Sequence, residues 1–343
     1  MTAFMKLWEN VWSINLKINC KMKKIIVALS IIVLIAACKN KKEEAVKTTN
    51  KSHAELMAEV FTKPKVDIKT VGILLYDGYT TLDAMGPYQV LSEMMGVKVF
   101  FVGRTKGLIA NMSGMKVQCD TSIAEVKKLD ILVIPGGLKE TYNATKDMEL
   151  LSWIKSIDST TKYTTTVCTG AWILGATGLL KDKEATTHWY GKKILAEQFG
   201  AKIKNSRYVV SGKYWTSAGV TAGMDMSFAL LNEIMGEKYT KTAMLDLEYD
   251  PKPLYNVGSE NNTDKEIVEM MRAMYDGGMG TALHPEKTFK TMKFDNKKDF
   301  ICGMPVTAGV ADTANYKGKV YGFCATECKE EFTKNPASYL ATK

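Results

Sequence analysis

Little in this chain of 343 residues suits it to nucleic acid. The net charge is +9, but five lysines against Glu9 place +4 of it in the first 38 residues, and the rest is scattered. No basic stripe with interleaved aromatics is present to position phosphates, which excludes an extended nucleic-acid interface. A long apolar run is also missing. The N-terminal one, from Ile25 to Ile35, has 11 residues, too few for a helix to cross roughly 30 Å of hydrocarbon. No internal repeat is visible, and only three histidines occur.

What the N-terminus does have is Lys23 and Lys24, then this short run, then Ala36-Ala37-Cys38. Charged, apolar and small-residue regions in that order are those of a signal peptide. The ending Ile35-Ala36-Ala37-Cys38 resembles a bacterial lipobox, which implies a diacylglyceryl thioether on Cys38 and cleavage before it. Lys39 to Glu44 is polar at once, as a lipoprotein tether would be. An ordinary signal peptide with an incidental cysteine is the plainer alternative. On the lipoprotein reading translation starts at Met22, residues 1–21 are an upstream extension, and the mature protein is anchored to a bacterial membrane in the cell envelope, facing away from the cytoplasm.

Residues 39–66 are rich in Lys, Glu, Thr and Asn and read as a tether, with a helical turn around His53 to Phe61. From Lys69 the pattern changes. Val71 to Tyr76 is a continuous apolar run closed by Asp77-Gly78, as expected of a strand buried on both faces, and similar runs recur at Val97 to Val102, Ile131 to Ile134 and Thr164 to Val167. Helical spacing alternates with them, which implies a doubly wound parallel α/β sheet. Tyr208 to Val210, Tyr214 to Thr216 and a helix from about Gly223 to Met235 complete a domain over 67–250. Residues 251–293 read as a connector with one amphipathic helix, Lys265 to Tyr275, and 294–343 as a separate small domain with three of the seven cysteines.

Four features of the large domain should meet beyond the carboxyl ends of its strands, where ligands bind in such sheets. At Thr166-Val167-Cys168-Thr169-Gly170 an apolar strand breaks at a cysteine and a helix follows, the outline of a nucleophile elbow. A helix N-terminus there would lower the thiol pKa, whereas a small buried cysteine is the bland alternative. Pro135-Gly136-Gly137 ends another strand, and the N–H groups of Gly137 and Thr169 could form an oxyanion hole, unless the glycines make a plain turn. Asp83 stands among apolar neighbours after the first strand, where burial would raise its pKa for proton transfer, with an N-cap as the other reading. His188, in Thr187-His188-Trp189, is either a member of the site or a structural residue.

Together these segments resemble the ThiJ/PfpI family of the class I glutamine-amidotransferase-like superfamily, from about Lys69 to Asp246. The carriers are Leu82-Asp83 with Gly86-Pro87-Tyr88, Ile134 to Gly137, Cys168 to Ala171, Ala185 to Trp189, Thr216 to Gly219 and Gly223-Met224-Asp225. The resemblance implies a flavodoxin-like fold and no cofactor for this domain. An early Asp with a Cys-Thr elbow looks most like the isonitrile hydratase branch, which implies Cys168 as nucleophile, Asp83 as the proton-transfer group and His188 in support. The implied reaction is attack of the thiolate on the terminal carbon of an isonitrile, protonation of that carbon, and hydrolysis of the thioimidate to a formamide. Similar domains also serve as ligand-sensing modules, so a non-catalytic envelope protein binding a small ligand or metal is the alternative.

In the last fifty residues Cys302 is followed by Cys324 and Cys328. The last two are spaced i, i+4, so on a helix their sulfurs would share a face, and three thiolates suit Cu(I) or zinc better than Mg or Ca. A disulfide with an odd thiol is the alternative, favoured by export. Cys302 to Val306, Tyr316 to Lys319, Tyr321 to Cys324 and Asn335 to Leu340 resemble a YHS domain, related to the TRASH modules, which implies metal binding in a small α+β unit independent of Cys168. The fourth ligand is open; His284 belongs to the connector. Expected partners are therefore a small-molecule substrate, a metal ion and a membrane through the anchor, with a homodimer left open and nucleic acid excluded.

Overall fold

The computed structural model describes residues 51–282 and 293–341. Residues 1–50, with Cys38 and the stretch read as a lipobox, and His284 lie outside the described residues. The chain divides after Leu56, inside a helix over His53–Val60, and both domains lie in the unit Met57–Lys343. Among the described residues no helix is long and apolar enough to cross a membrane.

The large domain is built on a seven-stranded sheet. Its strands are β1 (Thr70–Leu75), β2 (Lys98–Gly103), β5 (Thr121–Ser122), β6 (Ile131–Ile134), β7 (Tyr163–Val167), β10 (Tyr208–Ser211) and β11 (Tyr214–Ser217). Between them the hairpin β3 (Gly107–Ala110) and β4 (Lys116–Cys119), and the pair β8 (Glu184–Ala185) and β9 (Lys202–Ile203), stand outside the main sheet. The order is β10-β11-β7-β6-β1-β2-β5, parallel except where β10 meets β11. β1 is buried along almost its whole length because the sheet has helices on both faces, the reason its sequence is a continuous apolar run. On one side α1 (Thr81–Ser92) packs against β1, β2 and α6 (Ala222–Met235), with α7 (Glu237–Asp246) against α6. A second group is formed by α2 (Lys139–Ala144), α3 (Met148–Asp158), α4 (Gly170–Ala176) and α5 (Lys192–Phe199), gathered around the wholly buried Trp172 of α4.

β2 and β6 lie on opposite sides of β1, so the connections reverse direction there. A crevice opens at such a switch point, beyond the carboxyl ends of the strands. Pro135-Gly136-Gly137 follows β6, Cys168 follows β7, and Asp83 is in the first turn of α1, after β1. Thr80, not Asp83, is the N-cap residue of α1, which removes the capping alternative for Asp83.

The connector holds α8 (Lys265–Met279), one turn longer than its spacing suggests, and the C-terminal domain pairs β12 (Asp312–Tyr316) with β13 (Lys319–Phe323) against α9 (Thr326–Lys334) and α10 (Pro336–Ala341). Phe323 and Phe332 are fully buried, with Phe300, Tyr316, Tyr321 and Tyr339 around them, the aromatic core expected for a domain this small. The domain belongs to the same compact unit as the sheet, and the end of α8 packs on it through Gly277.

Candidate functional site

Cys168 has a positive φ of 57°, the sharp elbow of a strand running directly into a helix. A residue with a Cβ in that conformation costs on the order of 1–3 kcal/mol, so the surroundings must hold it. Its N–H donates to the Ser217 carbonyl at 3.2 Å, and its carbonyl accepts the Thr187 hydroxyl at 2.7 Å. Only glycine fits the contact beneath the elbow: a Cβ on Gly170 would lie 2.2 Å from the Ile134 carbonyl oxygen, and one on Gly136 would lie 2.5 Å from the Thr169 nitrogen. The elbow and the Gly136-Gly137 turn are therefore pressed together backbone to backbone.

That contact changes the expected oxyanion hole. The Gly137 N–H donates to Thr169 Oγ1 at 3.0 Å, while the Thr169 hydroxyl donates to the Gly137 carbonyl at 2.6 Å. The Thr169 N–H is directed at the Cys168 sulfur. Neither N–H of the expected pair is free, because a threonine hydroxyl inserted between the two loops takes one and the thiol takes the other.

Asp83 is wholly buried; Oδ2 accepts the Gly136 N–H at 3.1 Å, and Oδ1 has no partner of full hydrogen-bond geometry. The Cys168 thiol is its neighbour on that side and couples to it as a loose hydrogen-bond donor and by charge. Burial raises the carboxyl to about 7, the thiol and the Gly136 N–H pulling partly the other way. The thiol is pushed well above its ordinary range, first by burial and then by the Asp83 charge, against the Thr169 N–H. This corrects the expected helix-dipole effect: α4 has seven residues, and its field is outweighed by burial and an adjacent acid. The resting centre is a protonated thiol beside a carboxyl that titrates near neutrality.

His188 is half-buried and does not meet the thiol directly. Burial, then the Lys192 charge, lowers it to about 4, so the ring is neutral at physiological pH. It lies beside a cleft of about 620 Å³ and meets Tyr275 of α8 edge-on, ring centroids 5.5 Å apart. Tyr275 in turn is raised by burial and, second, by the Cys168 thiolate when that forms, and it packs on Tyr190 at 4.9 Å. Sequence reasoning missed Tyr275: amphipathic spacing identifies the helix but not the surface that its face covers.

In the C-terminal domain one donor atom each of Asp299, Cys302, Cys324 and Cys328 lies within 4.8 Å of the others. The Cys302 and Cys324 sulfurs are 3.2 Å apart, and those of Cys324 and Cys328 3.8 Å. Cys324 does not share a helix with Cys328 as its spacing suggested; it follows β13, two residues before α9, and the strand-to-helix turn brings the sulfurs together. Asp299, unnoticed in the sequence, accepts the Ile301 N–H at 2.8 Å and the Cys324 N–H at 2.9 Å, which fastens both cysteine-bearing segments to one carboxylate. Burial raises the Cys324 and Cys328 thiols, the latter to about 12; Asp299 and Cys302 add to both, while the hydrogen bond with Cys324 partly lowers Cys328. Three soft sulfurs and a carboxylate in so small a space are a donor set for one thiophilic cation, which would relieve that mutual repulsion.

A cysteine elbow at the switch point of a parallel α/β sheet, backed by a buried acid, defines the class. The chain belongs to the DJ-1/PfpI family, which matches residues 69–233, and a YHS domain matches residues 297–343. Isonitrile hydratase of Pseudomonas putida is 33% identical over 202 residues, 59% of this chain and 88% of that relative. A ThiJ/PfpI family protein from Pseudomonas syringae superposes with a TM-score of 0.61 at 31% identity, covering 66% of this chain and 93% of that one. The transcriptional regulator GbdR of Pseudomonas aeruginosa is 23% identical over 178 residues, 50% of this chain and 48% of the regulator.

Proposed function

We propose that the large domain hydrates isonitriles, with Cys168 as nucleophile and Asp83 as the group that moves the proton. The observation that carries this reading is the buried pair itself, a protonated thiol against a carboxyl raised to about 7. An ionised Asp83 accepts the thiol proton only as sulfur closes on the terminal isonitrile carbon, since the free thiol holds its proton more tightly than the acid does. Asp83 then delivers that proton to the same carbon, giving a thioimidate, RN=CH–S. Water adds across the C=N bond, the C–S bond breaks, the formamide RNH–CHO leaves and the proton returns to sulfur. The Thr169 N–H steadies the sulfur as it gains and loses charge, and the neutral His188 ring lines the approach.

Turnover of a panel of isonitriles by the wild-type protein and by Cys168→Ala tests the reading. Formamide release from the wild type alone is the expected result. Equal background from both would favour the ligand-binding alternative, which the nearly complete burial of the thiol, 5% exposed, and the regulators among the relatives support.

The same proposal assigns Cys302, Cys324 and Cys328, with Asp299, to one Cu(I) or zinc ion, and places the protein in the bacterial cell envelope on a lipid attached to Cys38. The sulfur cluster supports the first and the lipobox with its polar tether the second.

A further inference from the structure

The cleft beside the elbow has two walls of different origin. His188, Trp189 and Lys192 come from the large domain; Val257, Ile267 and Met271 come from the segment after it, outside both matched ranges. Ile267 and Val257 are 45% and 48% exposed, so apolar surface is left uncovered where a ligand could bury it. Lys192 pairs with Glu260 at 3.2 Å, and Arg207 with Asp225. Arg272 covers the Trp189 ring at 5.1 Å and reaches Glu260 at 3.5 Å. His188 is neutral, and Lys192, Arg207 and Arg272 are each already paired with a carboxylate, two of them sharing Glu260. Its volume of about 620 Å³ lies in the range of about 300–1,000 Å³ that encloses molecules larger than a few heavy atoms.

His188 lines the cleft and its ring meets Tyr275, which lies within electrostatic reach of the Cys168 sulfur. These contacts link the cleft to the thiol through His188 and Tyr275, and the two-atom C≡N rod of an isonitrile is a slim connection for a group that reacts at sulfur while its remainder lies in the cleft.

Resting on the isonitrile reading, we propose that Tyr275 is a specificity residue of the Cys168 site: with His188 it forms the constriction that admits the linear C≡N group, and the neutral, bulky apolar N-substituent lies beyond it against Ile267 and Met271. A methyl substituent would leave that surface to water. A benzyl group would cover it.

The test compares benzyl and methyl isonitrile with the full chain. The wild type is expected to favour benzyl isonitrile by about tenfold or more in kcat/KM, and Met271→Trp to lower that ratio by about tenfold. Tyr275→Ala should collapse the ratio while Tyr275→Phe keeps it, which a merely structural role for the phenol would not produce. A ratio unchanged in both Met271→Trp and Tyr275→Ala overturns the proposal. If no isonitrile is turned over, the reaction reading fails and binding decides: calorimetric binding of N-benzylformamide to the wild type, lost in Met271→Trp, supports the cleft assignment, and no binding to the wild type refutes it.

Discussion

Gly277 of α8 lies against the carbonyl of Cys324 so closely that a Cβ would come within 2.3 Å of that oxygen. Two residues earlier the same helix presents Tyr275 to the Cys168 centre, and one residue later Gly278 leaves only 2.7 Å between a would-be Cβ and Leu138, next to the Gly136-Gly137 turn. One turn of α8 therefore lies against both the C-terminal domain and the large domain. Gly277→Ala should force that turn off the C-terminal domain at a cost of about 1–3 kcal/mol. Thermal unfolding should show the loss, and both metal affinity and turnover should change. A variant as stable as wild type with both functions intact would mean that the contact is slack.

Asp83 supplies a prediction with a sign. The unfolded chain releases this proton near 3.8, the folded protein near 7, so between those values the folded state holds a proton that the unfolded one has lost. Stability contributed by the neutral acid is present below 3.8 and declines as pH rises toward 7, a penalty on the order of 4 kcal/mol above that window. Asp83→Asn keeps an acceptor for the Gly136 N–H without the charge. It should melt several degrees above wild type at pH 8.5 and match it at pH 4. A gain of equal size at both would point to packing instead.

Activity should run opposite to stability. On the proposed mechanism the carboxylate accepts the thiol proton, so kcat/KM should climb as pH rises through about 7 and level off above it. Asp83→Asn should lose about a hundredfold or more and lose that inflection. A flat profile in the wild type would remove Asp83 from proton transfer.

Much of this was legible in the sequence, for identifiable reasons. The continuous apolar run of β1 shows because that strand is covered on both faces, and the elbow shows because a strand, a cysteine and a helix follow one another without a gap. Asp83 stood out as an acid among apolar residues. What failed depended on partners distant in the chain. Gly137 and Thr169 carry backbone donors that look free until the fold inserts the Thr169 hydroxyl between two loops 32 residues apart. The sign of the Cys168 shift followed from depth and from Asp83, not from local helix geometry. Asp299 could not be singled out, since its link to Cys324 spans 25 residues, and the face of α8 that carries Tyr275 is chosen by tertiary packing.

If the Ile35-Ala36-Ala37-Cys38 ending acts as a lipobox, as proposed, the product should be labelled and membrane-associated. Cells expressing the full gene with an alkyne fatty acid should yield a labelled band that partitions into detergent, and Cys38→Ala should abolish the label. An unlabelled, freely soluble wild-type product would rule the anchor out.

The last prediction concerns the sulfur cluster. Cys302, Cys324 and Cys328 converge without sharing an element: one follows the Asp299 turn, one follows β13, and one sits on α9. Binding one cation would tie all three segments together, in a domain whose core is little more than six aromatic rings and whose stability should therefore be linked to the metal. One equivalent of Zn(II) or Cu(I) added to the reduced full chain should raise the unfolding temperature, and Cys324→Ser should cancel the rise. Asp299→Ala should weaken binding further than Asp299→Asn, because Asn still accepts one N–H and keeps part of the brace. Oxidation competes for the same atoms, since Cys302 and Cys324 have sulfurs only 3.2 Å apart. Intact-mass analysis of protein taken from cells therefore decides between the two: a metal adduct with free thiols supports the ion, and a Cys302–Cys324 disulfide without metal makes the domain a redox-stapled module.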